Sequence, residues 1–261
     1  MTAKADIAKL LDATPQLWTG RQFSRRQRTL PTGHARLDAR LPGGGWPLGA
    51  VSEIVAASPG LGEFSLLFPV LAELGAREQW VVLVDPPWIP YPAALRAQGL
   101  RLERLLLVRT RDEKEALWAC EQALRSGRGG AVLAWPRRIG FARVRRLQLA
   151  AEAHAKLAFL FRPESALGEA SPAALRLQLE SGAQQDVSIR VIKCRGSRPP
   201  DPMRTPRPFS AHGNPQDQTH VHALACPSLP APGPGPAYPG PGAPHDAPRA
   251  QRHTHRAQRH N

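Results

Sequence analysis

The sequence lacks the features that define several common protein classes. Its 261 residues include three cysteines, which are far apart and fit neither a disulfide framework nor the spacing of metal ligands. No run of about 18 apolar residues occurs, so we expect no membrane span. The N-terminus has no basic stretch followed by an apolar one, so we expect no signal peptide. These absences predict a cytoplasmic protein without a metal site.

The C-terminal part of the chain differs in composition from the part before it. Fifteen of the 28 prolines and seven of the nine histidines follow Ser197, with few aliphatic residues among them. Such a segment buries too little apolar surface to offset the entropy of ordering it. We therefore predict an N-terminal helical arm at residues 1–29, one core domain at residues 30–197 and a disordered Pro/His/Arg-rich tail at residues 198–261.

The charge is strongly basic, with a formal net value of +14. Residues 198–261 hold seven Lys or Arg against three Asp or Glu, which leaves 28 against 18 in residues 1–197. A basic balance in both parts suits an acidic partner, either nucleic acid or an acidic protein surface. An arginine-rich proteome would give the same balance, so charge alone does not decide the function.

Short apolar runs alternate with helical patterns through the predicted core domain. Strands are predicted at residues 51–55, 80–85, 105–108, 131–135 and 157–161. Helices are predicted at residues 64–75, 93–98, 112–126 and 144–156. This alternation is typical of an α/β fold with a mainly parallel sheet between two helical layers, in which the strands are covered on both sides. Residues 174–180 and 187–193 alternate with period two and predict a C-terminal β-hairpin at the sheet edge.

The loop between the first strand and the first helix has the length of a phosphate-binding loop and lacks its chemistry. In such a loop glycine N–H groups hold the phosphates, a lysine reaches the terminal phosphates and a Ser or Thr hydroxyl binds magnesium. Here Ala57 replaces the first glycine, Glu63 replaces the lysine and Phe64 replaces the Ser or Thr. A carboxylate about 4 Å from a phosphate repels it by roughly 1 kcal/mol in water and by several times more near a protein surface. We predict no nucleotide cofactor; the N–H groups of Gly60 and Gly62 could still form a remnant anion site, but we favour a plain turn.

Several motifs together resemble a known group of bacterial proteins. Residues 41–49 and 52–54 are similar to the segment before the phosphate loop of RecA-type recombinases. Within that superfamily, residues 17–196 resemble the ImuA proteins, which are related to SulA. The most specific segments are Trp18-Thr19-Gly20-Arg21-Gln22, Gly43-Gly44-Gly45-Trp46-Pro47, Ala131-Val132-Leu133-Ala134-Trp135 and residues 145–152.

This resemblance implies a RecA-like, P-loop-type three-layer sandwich and a role in the DNA-damage (SOS) response. ImuA proteins accompany an ImuB-type polymerase-like subunit and a DnaE-type polymerase in translesion synthesis, so these two are the expected partners, with RecA as a further candidate. The expected function is that of a non-catalytic adaptor. Pro87 stands where the recombinase has its general base, and Ala134-Trp135-Pro136 stands where a second acidic residue should follow. The resemblance therefore implies no catalytic residues and no enzyme activity.

Two other functions are consistent with the same sequence. A SulA-like cell-division inhibitor that binds the tubulin-like division protein would use the same inactive core. A DNA-stimulated recombinase-type ATPase ranks lower because the loop chemistry is missing. Filamentation on overexpression would favour the inhibitor, and ATP-dependent filaments on single-stranded DNA would favour the ATPase.

Two groups of residues are candidates for contact with a partner. Trp46, Trp88 and Trp135 lie at or near strand ends, where open α/β sheets bind ligands. They form either a protein-contact patch or the filling of a former nucleotide pocket. The second group is basic and would contact DNA phosphates or be a solvated helix face; its members are Arg137, Arg138, Arg143, Arg145 and Arg146.

Overall fold

The structure, a computed structural model, describes residues 28–57, 60–182 and 186–206. Apart from residues 28 and 29, the predicted helical arm lies outside the described residues. Residues 207–261 of the predicted tail also lie outside them.

Ten strands and five α-helices follow one another in the described residues. The strands are β1 Thr29–Leu30, β2 Trp46–Pro47, β3 Ala50–Ala56, β4 Trp80–Val84, β5 Leu105–Val108, β6 Gly129–Ala134, β7 Leu157–Pro163, β8 Leu175–Ser181, β9 Asp186–Cys194 and β10 Met203–Pro206. The α-helices are α1 Ala35–Asp38, α2 Phe68–Ala76, α3 Pro92–Ala97, α4 Glu113–Arg125 and α5 Phe141–His154. Short 3₁₀ segments occupy Ser65–Leu67, Leu102–Arg104 and Glu164–Gly168.

Eight of these strands form one sheet in the order β10-β9-β8-β3-β7-β6-β4-β5. The pairs from β8 to β5 are parallel, whereas β9 and β10 are antiparallel to their neighbours. The predicted α/β class with a mainly parallel central sheet is confirmed. The predicted hairpin is β8–β9, and its first strand extends the parallel part of the sheet beside β3.

The sheet has a separate hydrophobic core on each face. Neighbouring residues of a strand point to opposite faces, and β6 shows this directly. Leu133 belongs to the core that contains Leu71 of α2. Val132 belongs to the core that contains Leu124 of α4 and Leu147 of α5. Helices α1, α2 and α3 therefore cover one face and helices α4 and α5 cover the other.

Two segments differ from what the sequence predicts. The run at residues 105–108 is a strand, but it is not buried: Leu106 is 47% exposed and Leu107 is 40% exposed. Strand β5 lies at the end of the sheet, where one side has no neighbouring strand in the described part of the chain. Residues 198–206, assigned above to a disordered tail, include β10, which pairs with β9 through Met203↔Ile189. Both differences depend on which strands become neighbours, which local patterns do not specify.

Candidate functional site

The degenerate loop follows β3 and turns sharply into the first helical segment. Gly60 and Gly62 have φ values of 92° and 93°, in a backbone region that residues other than glycine rarely adopt. The chain then enters a 3₁₀ turn at Ser65–Leu67, and α2 begins at Phe68 with Pro69 in its first turn. The helix predicted from residue 64 therefore begins four residues later, where the fixed φ of proline suits a helix start.

The Glu63 side chain accepts a hydrogen bond from a backbone N–H group of its own loop. Its carboxylate oxygens Oε1 and Oε2 lie 3.0 and 3.2 Å from the backbone nitrogen of Gly60, which donates to them. The Glu63 residue is only 5% exposed. A phosphate at this loop would need that same N–H group. A carboxylate of the chain therefore stands where an external anion would bind.

Aromatic side chains fill the space beside this loop, at the carboxyl ends of β3, β4, β6 and β7. Trp135 stacks on Phe161 with ring centroids 4.6 Å apart and planes 10° apart. It also meets Phe64 and Trp88 edge to face, each at 6.0 Å. Phe68 adds a further edge contact to Phe64 at 5.1 Å. This aromatic cluster of Phe64, Phe68, Trp88, Trp135 and Phe161 occupies the carboxyl edge of the sheet and packs against the core on the α2 face.

Trp46 does not belong to this cluster. It is 0% exposed and packs edge to face on Phe159, with centroids 5.2 Å apart. A fully buried side chain cannot contact a partner, so the prediction that Trp46 forms part of a contact patch is corrected. Trp88 and Trp135 are each partly exposed.

The Asp85 carboxylate connects the ends of the neighbouring strands β4 and β5 by hydrogen bonds. It follows β4 with a φ of 48°. Its Oδ1 accepts a hydrogen bond from the Thr110 backbone N–H at 2.8 Å, and its Oδ2 accepts one from the Thr110 hydroxyl. Thr110 lies just beyond β5, so this carboxylate has a structural role at the carboxyl edge of the sheet.

Packing of α4 against α5 gives carboxylate partners to two of the five arginines in the predicted basic group. Arg143 pairs with Glu113 at 3.2 Å, and Arg146 pairs with Glu121 at 2.9 Å. These two arginines bridge the helices and are partly neutralised. The other three, Arg137, Arg138 and Arg145, are exposed and form no ion pair among the described residues. The five arginines therefore differ in how far their charges are compensated, and their contact with DNA stays a prediction.

A buried ion network, for which the sequence patterns give no prediction, lies under the Glu164–Gly168 segment. Glu53 in β3 is 0% exposed and accepts from Arg162 at 3.1 Å and from Arg176 at 2.7 Å. Arg176 also donates to the backbone oxygens of Ala166 and Glu169. The network fixes the crossing from β7 to β8. In the sequence, Glu53 within the apolar run of β3 is the feature that could have indicated a buried charge here.

The loop after β4 exposes apolar side chains on a constrained backbone. We call residues 86–92 the proline loop, because four of its seven residues are proline. Ile89 is 59% exposed and Tyr91 is 55% exposed. The Arg109 guanidinium donates to the backbone oxygens of Pro86 and Trp88, the second at 3.2 Å. The sequence patterns give no prediction for this exposed pair.

Further site chemistry is limited in the described ranges. No group of three or more His, Cys, Asp or Glu side chains there could hold a metal ion. None of the helices described has both the length and the apolar character that a membrane span requires.

Burial, and then the nearby charges of Asp85 and Glu121, raise the pKa of the Cys120 thiol to about 12, so this thiol is neutral at pH 7.

Comparison with known proteins decides the family. The family model described as "Cell division inhibitor SulA" matches residues 49–158. A cell division inhibitor SulA of Edwardsiella piscicida is 34% identical over 108 residues, which are 41% of this chain and 64% of that relative. A cell division inhibitor SulA of Pectobacterium carotovorum subsp. carotovorum is 31% identical over 129 residues, which are 47% of this chain and 73% of that relative. The chain belongs to the SulA family.

The SulA match includes the degenerate loop, the proline loop and all of the aromatic cluster except Phe161. The chain spans about three fifths of the length of the first SulA relatives. The crystal structure of SulA from Pseudomonas aeruginosa is 30% identical to it, with 43% of this chain and 97% of that one covered and a TM-score of 0.37.

Membership of the SulA family corrects the function and partners expected from the ImuA resemblance. The relatives that establish the family are named cell division inhibitors. The hypothesis of a translesion-synthesis adaptor is therefore wrong, and so is the expectation of ImuB-type, DnaE-type and RecA partners. The SulA-like inhibitor, kept above as an alternative, is the hypothesis that these matches support.

Proposed function

We propose that the chain is a non-catalytic cell-division inhibitor that acts by binding the tubulin-like division protein. The observation that carries this proposal is the SulA family match, because the matching relatives are named for this activity. We also propose that the chain is made during the DNA-damage response, which measurement of its transcript after DNA damage would test.

The absence of ATP hydrolysis is part of the proposal and is supported by the site. Glu63 bonds the loop N–H that a phosphate would need, and Phe64 replaces the magnesium-binding hydroxyl with a buried ring. Pro87 has no side chain that could act as a general base. We further propose descent from a RecA-like P-loop ancestor, supported by the order strand, loop, helix at β3 and α2. The narrower resemblance to ImuA proteins concerns this descent alone.

We propose that the proline loop is the surface that contacts the division protein. Ile89 and Tyr91 together expose a large apolar area, and tyrosine is enriched at the energetic centres of interfaces. Four prolines and the two hydrogen bonds from Arg109 limit the loop's conformations before any partner arrives. Trp88 joins the loop to Trp135 of the aromatic cluster. A preorganised apolar surface loses little entropy on binding, which favours affinity.

Expression of the full chain in its native host tests the proposal through cell length. The wild-type chain should cause filamentation, whereas the Ile89→Ala/Tyr91→Ala variant should not at equal protein level. The matched control is Trp118→Ala/Leu149→Ala, which removes two similarly exposed apolar side chains, 61% and 48% exposed, from α4 and α5. The control should filament cells as the wild type does. Normal cell length with the wild-type chain would refute the inhibitor, and filamentation by the loop variant would place the contact elsewhere.

A further inference from the structure

A cavity of about 260 Å³ lies on the sheet face opposite to α2, between α4 and α5. Its interior is apolar and is formed by Leu117 and Cys120 of α4, Leu147 of α5 and Leu160 of β7. Trp135 closes one side of it and also belongs to the aromatic cluster. The space accommodates about nine water-sized groups at roughly 30 Å³ each, which is the size of a short hydrocarbon chain or a substituted ring.

The cavity opens at a place where the chain leaves two neighbouring strands in opposite directions. Strands β4 and β6 are paired, and both end at the cavity with Val84 and Ala134. From β4 the chain passes to α3 on one face of the sheet, and from β6 it passes to α5 on the other face. The divergence leaves a crevice at the carboxyl ends of the two strands, where open α/β sheets bind small ligands.

The three carboxylates at the opening accept hydrogen bonds or an ion pair from the chain itself. Asp85 is bonded to Thr110, and Asp112 caps α4 by accepting from the Glu115 N–H at 2.8 Å. Glu113 is paired with Arg143. These three carboxylates already have partners.

Three guanidinium groups at the same opening are in the opposite situation. The side chains of Arg111, Arg137 and Arg138 line it and are exposed. None of them has a hydrogen bond or an ion pair with another described residue. The opening therefore has three guanidinium groups free to donate hydrogen bonds to a ligand above an apolar interior, while Asp85 and Asp112, bonded only to neutral donors, keep their negative charges. Cys120 inside is buried and neutral at pH 7, so the interior offers no charge to a ligand.

We propose that this cavity binds a small amphiphilic anion, with an apolar body in the crevice and a carboxylate or phosphate head on Arg137, Arg138 and Arg111. Arginine forks bind such planar or tetrahedral anions through paired hydrogen bonds. The site is separate from the degenerate loop, which lies beyond the aromatic cluster. Cavities with apolar walls and a few convergent polar groups are the usual form of small-molecule sites.

Calorimetric titration of the full chain with octanoate tests the site, with 1-octanol and octylamine as matched probes. Octanoate should bind with a dissociation constant below about 1 mM, and both control probes should bind at least about tenfold more weakly because they lack the anionic head. Arg137→Ala/Arg138→Ala should weaken octanoate binding by about tenfold or more. Arg125→Ala/Arg128→Ala removes the same charge from the opposite edge of the sheet and should leave binding within about twofold.

A second variant, Ala116→Phe, tests the position of the apolar body, since Ala116 faces the cavity from α4. It should abolish octanoate binding while the variant retains a cooperative thermal transition. If it does not fold, the comparison of Arg137→Ala/Arg138→Ala with Arg125→Ala/Arg128→Ala decides whether octanoate binds at this cavity. Absence of saturable octanoate binding would overturn the proposal, as would equal binding of the three probes or equal loss in both arginine pairs.

Discussion

The carboxylate of Glu63 accepts a hydrogen bond from the backbone N–H of Gly60, with both oxygens within 3.2 Å of the nitrogen. The Glu63 side chain therefore occupies the Gly60 N–H donor of its own loop. Together with Phe64 and the aromatic cluster, this contact fills the carboxyl edge of the sheet beside the loop with the chain's own side chains. A scaffold stabilised in this way can serve as a binding protein without a bound nucleotide.

Replacing Glu63 tests the structural role of that contact. Glu63→Ala should lower the free energy of unfolding by about 1–2 kcal/mol, because the Gly60 N–H loses its acceptor. Glu63→Gln should have a smaller effect, since its amide oxygen can still accept. Denaturant unfolding of both variants provides the measurement. Equal stability of the alanine variant and the wild type would show that the contact contributes nothing.

Restoring the cation should not restore nucleotide binding. In Glu63→Lys the charge is favourable, but Phe64 still lacks a magnesium ligand and Trp135 still fills the crevice. We expect no heat of binding when this variant is titrated with ATP and magnesium. Tight ATP binding by Glu63→Lys would show that the aromatic cluster leaves room for a nucleotide.

The aromatic cluster should contribute strongly to stability. Trp135→Ala removes a stacked ring and two edge contacts and should lower the free energy of unfolding by about 3 kcal/mol. Trp118→Ala, which removes an indole that is 61% exposed, should change it by less than about 0.5 kcal/mol. Similar unfolding midpoints for these two variants would contradict the assignment of the cluster to the core.

The sequence indicates the α/β order, and it shows directly which residues of a phosphate-loop pattern are replaced, because both depend on local information. Apolar periodicity marks the strands and helices, and Glu63 and Phe64 can be compared with a loop pattern directly. Spatial neighbours are different. The exposure of Leu106, the pairing of Met203 with β9 and the burial of Trp46 follow from strand order and packing, which involve residues far apart in the chain.

The buried network around Glu53 provides another test. Glu53→Gln leaves Arg162 and Arg176 without their carboxylate in a buried place, so the free energy of unfolding should fall by about 3–5 kcal/mol. Glu103→Gln breaks an exposed pair with Arg96 and should change it by less than about 1 kcal/mol. If the two substitutions had equal effects, the buried network would not hold the β7–β8 crossing.

Cys120 should make stability fall at alkaline pH. Its pKa is raised to about 12 by burial, whereas in the unfolded chain the thiol ionises near its usual value of 9.0. Between these values the unfolded state has lost a proton that the folded state keeps, so stability decreases as pH rises. The wild type should lose about 1 kcal/mol more than Cys120→Ala on going to pH 10. Parallel pH profiles of unfolding for the two proteins would contradict the burial of this thiol.

The ion pairs that Arg143 and Arg146 of α5 form could not be predicted from the local sequence, because their partners lie on another helix. A run of basic residues before and within a helix suggests a single surface. The packing of α4 beside α5 instead gives Arg143 and Arg146 carboxylate partners and leaves Arg137 and Arg138 at the opening of a cavity. Only the fold shows which of these charges are already compensated.

Inhibition of a division protein by direct contact can be measured with purified components. The full chain is added to the polymerising tubulin-like division protein of the same organism, and polymer is followed by light scattering. Polymer should decrease in proportion to the chain added, without ATP, and the Ile89→Ala/Tyr91→Ala variant should leave it unchanged. Undiminished polymer at an excess of folded wild-type chain would contradict the proposed function.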